Sequence, residues 1–446
     1  MRITNLQLEG FRCFERYEIN LSNRFTLLIG DNGSGKTAVL DALRKSLVPF
    51  LHNLPDFSGV LISEKQGENS NPTIDTSDVH YKLLTSGQTA IKETTSPTSI
   101  LITISIDSIS NPLNSKLTNK SSFFNENKIP MDLPFYALQL KIDNENTRLP
   151  IISYYGTGRL WKLINEEEKQ IKTLSPGSRL LGYRDCLNSE SNLKILFRWF
   201  KTQELAALQK NETRHVLEAV RIAIVEMIPG GKQAWWDIDW DEILIETEIL
   251  GKTQTIPFHL LSDGYRNMIG MVADIAYRMA TLNPQLEADV IKQTEGIVLI
   301  DEIDLHLHPK WQREVVGRLL NTFPKVQFVA SSHSPFIIQS LYGREDCLLW
   351  DLEKAQPIAI ESESIEDIAE EQQHVEIPQK SKRYLDMMDA AEAYYRKLHE
   401  VKNESDMEVM QLRSKLDELS IPFSDDPAFA AQLKFERDSV LASKDK

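Results

Sequence analysis

The sequence predicts an α/β fold: a mixed central sheet, an antiparallel β subdomain, a helical subdomain and a helical C-terminal tail. Three apolar runs that end in chemically active residues predict it. Phe25 to Ile29 runs into Gly30-Asp31-Asn32-Gly33-Ser34-Gly35-Lys36-Thr37, Ile297 to Ile300 into Asp301-Glu302, and Val326 to Ala330 into Ser331-Ser332-His333. Short runs that are apolar on both faces read as buried strands of a parallel sheet. Open α/β sheets gather ligands at the carboxyl ends of such strands.

The first run fits the P-loop pattern, with a strand before it and helical periodicity from Ala38 to Leu43 after it. Asn32, Gly33, Ser34 and Gly35 can curl so that consecutive N–H groups face phosphates. Lys36 adds a mobile positive charge, and Thr37 offers a hydroxyl to magnesium. A purely structural glycine turn has no need of Gly-Lys-Thr, so ATP and Mg2+ are the expected cofactors. At the end of the second run, Asp301 can hold the Thr37-bound magnesium directly or through water. Glu302 is placed to polarise the attacking water as a general base, a contribution of order 10²–10⁴ in rate. A lone histidine is more often a satisfied polar residue than a catalytic one. His333, however, follows a strand of the same sheet and reads as a γ-phosphate contact.

Leu261-Ser262-Asp263-Gly264 resembles the signature motif of ABC-type ATPases, and His333 resembles their switch histidine. The resemblance implies an ABC-type P-loop ATPase fold in which the signature of one subunit caps the ATP held by another. Ser262 and Gly264 would then contact the γ-phosphate across an interface, with Asp263 in the same nucleotide-binding turn. It implies a head-to-tail dimer that ATP closes. The signature helix is expected to start near Gly264, so that its positive end faces the partner's ATP.

Met1-Arg2-Ile3 through Leu8, followed by Gly10-Phe11-Arg12-Cys13-Phe14, resembles the opening of the soluble branch that contains the SMC, RecF and OLD-like ATPases. There the arginine matching Arg12 approaches the nucleotide. Tyr154-Tyr155-Gly156-Thr157-Gly158-Arg159-Leu160-Trp161, Gly182-Tyr183-Arg184-Asp185-Cys186-Leu187 and Asp304-Leu305-His306-Leu307-His308-Pro309 are similar to the Septu anti-phage ATPases, the PtuA family, and their retron-associated relatives. That resemblance spans roughly residues 1 to 350. It implies a companion HNH nuclease, PtuB-like, and a place for Asp304 at the subunit boundary. Taken alone, Asp304 to Pro309 also invites a metal reading, with His306 and His308 on one side of an extended segment. Zinc, however, usually takes three or four protein ligands, and no cysteine lies near.

The 446 residues exceed one typical domain, 41% hydrophobic content supports a sizeable core, and Cys13, Cys186 and Cys347 make no disulfide framework. No apolar run approaches 18 residues and the first twenty residues lack a signal-peptide pattern, so a cytoplasmic chain without a membrane span is expected. A net charge of −15 argues against a generally DNA-coating surface, although local basic patches remain open. Lys194-Ile195-Leu196-Phe197-Arg198-Trp199-Phe200-Lys201 could be such a patch or, more often for this mix, packing with a solvated edge.

Residues 1–350 are expected to form the ATPase domain. About 50–150 form its β subdomain, with Ile100 to Ile106 as a strand and polar breaks at Gln66 to Pro72 and Asn111 to Asn127. About 177–290 form the helical subdomain with the signature; within it Trp235 to Trp240 and Ile243 to Ile245 read as a strand pair. A magnesium-sensing glutamine has only a weak match, Gln139, on a strand predicted over Tyr136 to Ile142. In the acidic 351–446 region, Tyr384, Met388, Ala391, Tyr395 and Leu398 share one helix face, and a second segment surrounds Leu412, Leu416 and Leu419. This tail reads as a docking or oligomerisation arm, or as packing on its own ATPase domain. The whole predicts an ATP-hydrolysing regulatory subunit of an anti-phage complex that controls an HNH nuclease through nucleotide-dependent oligomerisation. The alternatives are a RecF-like repair or recombination ATPase that grips DNA without a nuclease, and a structural assembler that hardly turns ATP over.

Overall fold

The computed structural model describes residues 1–55, 74–86, 89–94, 97–107, 109–118, 133–140, 147–158, 178–188, 193–249, 251–359, 364–373, 382–401 and 406–421. Strand β1 (Arg2–Phe11) turns at Arg12, which adopts φ 48°, into the antiparallel strand β2 (Phe14–Asn20). Strand β3 (Phe25–Ile29) is buried at every residue and feeds helix α1 (Lys36–His52).

A hairpin follows, β4 (Tyr81–Ser86) with β5 (Thr89–Thr94), then β6 (Ser99–Ile106) and β7 (Ile109–Thr118). The last two complete an antiparallel sheet of order β2-β1-β6-β7. Ile100, Ile102, Ile104 and Ile106 alternate inward along β6, the period of a half-buried strand. The break expected from Asn111 does not occur over 111–118. There Leu113, Ser115 and Leu117 alternate inward beside β6, and this burial outweighs the turn-forming composition. The rest of that break, and the one at Gln66 to Pro72, lie outside the described residues.

Tyr136 falls in a helix, α2 (Leu133–Gln139), rather than on the predicted strand. Leu133 and Ala137, four residues apart, are both buried, and the Tyr136 ring stacks on Phe50 of α1 with centroids 6.5 Å apart. Helical spacing against α1 therefore prevails. Gln139 ends this helix, so the strand setting that prompted the glutamine reading is absent.

Next come β8 (Ile151–Tyr155), α3 (Leu193–Lys210), α4 (His215–Glu226), β9 (Gly231–Asp237), β10 (Glu242–Ile249), β11 (Lys252–Pro257) and α5 (Asp263–Leu282). The expected strand pair is thus a three-stranded antiparallel sheet, β11-β10-β9. Trp236 packs inward with aromatics of α3, where Phe197 meets the edges of Trp236 and Phe258 and Trp199 meets Tyr277, whereas Trp240 at the β9–β10 turn is exposed. Lys201 pairs with Asp241 at the edge. The aromatic and basic mix on α3 is therefore packing with a solvated rim and offers no stacking platform.

The chain continues through α6 (Val290–Gln293), β12 (Gly296–Ile300), α7 (Pro309–Thr322), β13 (Val326–Ser331), α8 (Pro335–Gln339), β14 (Cys347–Asp351) and β15 (Gln356–Ile358). The central sheet has the order β15-β14-β3-β13-β12-β8 and is parallel except for β15, as a mixed sheet should be. Strand β13 lies between β3 and β12, so the P-loop, Asp301-Glu302 and His333 emerge at one end of three adjacent strands.

The chain divides into two compact units, 1–365 and 366–446. At the boundary lies α9 (Ile365–Glu371), and within the second unit α10 (Lys382–Val401) and α11 (Met407–Ser420) pack together. Their seam is Met387, Ala390, Ala391, Tyr394 and Leu398 against Val409 and Leu416, flanked by Tyr384, Tyr395, Leu412 and Leu419. Met388, predicted inside, is 39% exposed. The inward stripe runs through Met387 and Tyr394 instead, because the 387, 391, 394, 398 series faces α11. Lys397 and Glu408 join the two helices at 2.8 Å. Among the described residues no helix is long and apolar enough to cross a membrane.

Candidate nucleotide-binding site

The P-loop owes its shape to left-handed backbone at Gly30 (φ 140°), Gly33 (φ 92°) and Gly35 (φ 101°). At Gly35 a Cβ would lie 2.4 Å from Phe14 Cζ and 2.7 Å from Cys13 Sγ, so the β1–β2 turn walls the loop. At Gly33 a Cβ would meet nothing within 4 Å, which leaves that side of the loop open. No acid of α1 itself stands in its first turn to offset its positive end.

Lys36 Nζ donates to the carbonyls of Gly30 (2.7 Å) and Asp31 (2.9 Å). Burial lowers the Lys36 pKa from its ordinary value, with Asp301, Asp31, Glu353 and Glu302 pulling against that fall. Ser34 Oγ is buried without a hydrogen-bond partner among the described residues. Phosphate oxygens satisfy both features: they accept from an orphaned hydroxyl and from an ammonium held only by carbonyls. The residues therefore fit a nucleotide.

Thr37 Oγ1 donates to Asp301 Oδ2 at 2.9 Å, which joins the two expected magnesium ligands across β3 and β12. Ser331 Oγ donates to the other oxygen, Asp301 Oδ1, at 2.6 Å and accepts from the Glu302 N–H at 2.8 Å. Asp301 is 3% exposed, whereas Glu302 adopts φ 50° and turns out of the strand half-buried. Backbone held there by a non-glycine residue costs about 1–3 kcal/mol and marks functional sites. Sequence reading missed the role of Ser331. Its signal was the parallel register Ile300 to Ala330, which sets residue 331 beside residue 301. It also missed Glu353, whose carboxylate accepts the Asp31 N–H at 2.6 Å. His333 stands exposed just past β13, and Asn32 stands exposed on the P-loop.

Arg12 donates to Asp41 (2.7 Å) and Asp78 (3.0 Å), and Lys45 also pairs with Asp78. Its guanidinium thus spends Nε and Nη1 on carboxylates beside α1, and Nη2 carries the remaining donors.

The signature forms a second cluster. Ser262 is the exposed N-cap of α5 and makes no capping bond to its own helix, and Asp263 pairs with Arg266. Gly264 is buried, where a Cβ would lie 2.3 Å from the carbonyl oxygen of His306. Asn267 Nδ2 donates to the Leu305 carbonyl at 3.3 Å. The helix therefore starts at Asp263 and rests on the loop that carries Asp304, whose carboxylate accepts from Ser332 Oγ at 2.6 Å.

That loop is a run of turns with His306 at φ 62°, not an extended segment, although His306 and His308 are both exposed on either side of buried Leu307. His308 Nδ1 instead accepts the Lys310 N–H and caps α7. Among the described residues no group of three or more His, Cys, Asp or Glu is placed to hold a metal ion.

The other two singled-out stretches are scaffold. Tyr155 Oη donates to Asp274 Oδ2 of α5 at 2.8 Å, as does Arg278 Nε, and Arg278 Nη1 donates to the carbonyls of Gly182 and Arg184. Burial lowers the Arg278 pKa, but Asp274 more than compensates and raises it overall. Burial, reinforced by Asp274, raises that of Tyr155. Arg159 to Trp161 lie outside the described residues.

The chain is similar to known proteins along most of its length. The chain is 26% identical over 406 residues to the "Retron Vc95 probable ATPase" of Vibrio cholerae serotype O1 biovar El Tor, covering 79% of this chain and 74% of that one. It is 25% identical over 429 residues to the "Retron Ec83 probable ATPase" of Escherichia coli, covering 80% and 72%. The "Septu protein PtuA" of Bacillus mycoides (strain KBAB4) is 30% identical over 217 residues, 46% of this chain and 29% of that one. The likeness to Septu and retron-associated ATPases read from the motifs is thereby borne out. An SMC head bound to the C-winged helix domain of ScpA superposes with a TM-score of 0.42 at 16% identity, covering 78% of this chain and 94% of that one; the fold assignment rests on the strand order itself. A family model described as "AAA domain, putative AbiEii toxin, Type IV TA system" matches residues 25–339. The chain belongs to that ATPase family.

Proposed function

We propose that this chain is an ATP-binding and hydrolysing regulatory subunit of an anti-phage defence complex, active in the cytoplasm. The relay Thr37–Asp301–Ser331–Glu302 carries the enzymatic part, because it orients a magnesium-type carboxylate and a general base beside an unsatisfied P-loop. Gly33 to Lys36 bind the phosphates, with Asn32 at the mouth of the loop. Thr37 and Asp301 would hold magnesium, which when bound offsets charge on the phosphate oxygens. Glu302 takes a proton from the attacking water, and His333 donates to the γ-phosphate.

Ser262, with no capping bond to its own helix, Asp263 and Gly264 serve the ATP of a second copy, so the working unit is at least a head-to-tail dimer, with Asp304 at its boundary. Arg12 joins the nucleotide when the two chains close. The retron and Septu relatives support the defence setting. On this reading the nucleotide state, relayed through oligomerisation, controls a companion HNH nuclease that docks on the helical C-terminal unit.

Affinity co-purification of the tagged chain from its native locus, followed by mass spectrometry and a nuclease assay with and without ATP, tests the reading. A stoichiometric HNH nuclease with nucleotide-dependent cleavage is expected. A lone ATPase that binds DNA without cutting would replace this reading with a RecF-like clamp.

A further inference from the structure

Tyr155 makes two bonds in opposite directions. Its backbone carbonyl accepts the N–H of Asp301 at 2.8 Å, at the point where the catalytic acids leave the sheet. Its hydroxyl donates to Asp274 on the signature helix α5, also at 2.8 Å. Both side chains are buried, and Asp274 is held a second time by Arg278, itself fixed on two carbonyls. Helix α5 is continuous from Asp263 to Leu282, so Asp274 moves rigidly with Gly264 and Ser262, about 15 and about 18 Å away along the axis at 1.5 Å per residue.

In a head-to-tail dimer the two ends of this link serve different ATP molecules. Asp301 and Glu302 act on the chain's own nucleotide, and Ser262 and Gly264 act on the partner's. We infer that Tyr155 is a positioning residue that couples the two composite ATP sites through one chain. It makes the pose of the signature in one site depend on the pose of the acids in the other. This rests on the dimeric reading above. A coupling claim needs a rigid element that both sites bias, and α5, tied at Tyr155 to the strand-end backbone of the acids, is such an element.

The test compares full-length wild type, Tyr155→Phe and a control, Tyr183→Phe. The control removes another fully buried tyrosine hydroxyl, one that donates to the Pro150 carbonyl at 2.7 Å rather than to the Asp274 carboxylate. Steady-state ATP turnover is measured against ATP concentration at several protein concentrations, with melting temperature as the check on folding. Wild type and Tyr183→Phe should both be cooperative, while in Tyr155→Phe the Hill coefficient should fall below theirs at every protein concentration, leaving only the cooperativity of association. The Tyr155→Phe melting temperature should match that of Tyr183→Phe.

Equal cooperativity in all three proteins overturns the inference and leaves the dimeric reading intact. Equal loss in both variants also overturns it, because the hydroxyls would then be acting through stability alone. Wild-type turnover that is independent of protein concentration and non-cooperative instead removes the dimeric reading on which the inference stands.

Discussion

The buried Gly264 packs so tightly on the His306 carbonyl oxygen that a Cβ at residue 264 would sit 2.3 Å from it. The signature turn therefore rests on the loop after Asp301 and Glu302 within one chain, while Ser262, two residues earlier, stays exposed. Two residues of one motif thus have separable duties.

Gly264→Ala forces backbone apart and should cost about 1–3 kcal/mol, the range for overpacking. Ser262 is exposed and makes no capping bond, so Ser262→Arg should leave stability within about 0.5 kcal/mol, as surface changes do. Both should abolish turnover while ATP still binds the P-loop. Urea unfolding and equilibrium binding of a fluorescent ATP analogue separate the two cases; a stability loss in Ser262→Arg equal to that in Gly264→Ala would contradict the division.

Ser331 orients both acids, so Ser331→Ala should lower the turnover number by about 10–100-fold, the usual cost of removing a residue that holds a metal ligand. Nucleotide affinity without magnesium should be unchanged, because Ser331 contacts neither Gly33 nor Lys36. A wild-type rate would show that Asp301 needs no such support.

Asp78 sets a pH dependence. Burial raises its pKa, but hydrogen bonds from Lys45, the Asp75 backbone and Arg12 outweigh burial and hold it below the ordinary value. A depressed carboxylate stabilises the fold above its unfolded pKa, and that stability is lost as pH falls through the folded value, here below about pH 4. Asp78→Asn should flatten the acid limb of a stability–pH curve from urea unfolding. An unchanged acid limb would mean that the Arg12–Asp78–Lys45 cluster adds nothing.

The strands that carry the site were legible because β3, β12 and β13 are buried on both faces and end in residues of distinctive chemistry. The signature was legible as a motif, but its packing on His306 depends on a non-local approach that local sequence does not encode. Ser331 shows the same limit: a serine after a strand has no role until the β12–β13 register sets it beside Asp301. Tyr136 and the 111–118 stretch misled because tertiary burial overrode local composition. On α10, the residues facing α11 fix the seam, which a single-helix periodicity places only to within a residue.

The central claim is a composite ATP site, and mixing two dead chains tests it most directly. Glu302→Gln lacks the proposed general base and should lose about 10²–10⁴ in rate, while Ser262→Arg lacks the proposed γ-phosphate contact of the signature. Mixed in equal amounts under exchange conditions, they form heterodimers with one fully intact site. The mixture should recover about a quarter of the wild-type rate, the statistical share for random pairing in a two-fold dimer. A mixture as inactive as its components, or full activity in Ser262→Arg alone, would contradict the account.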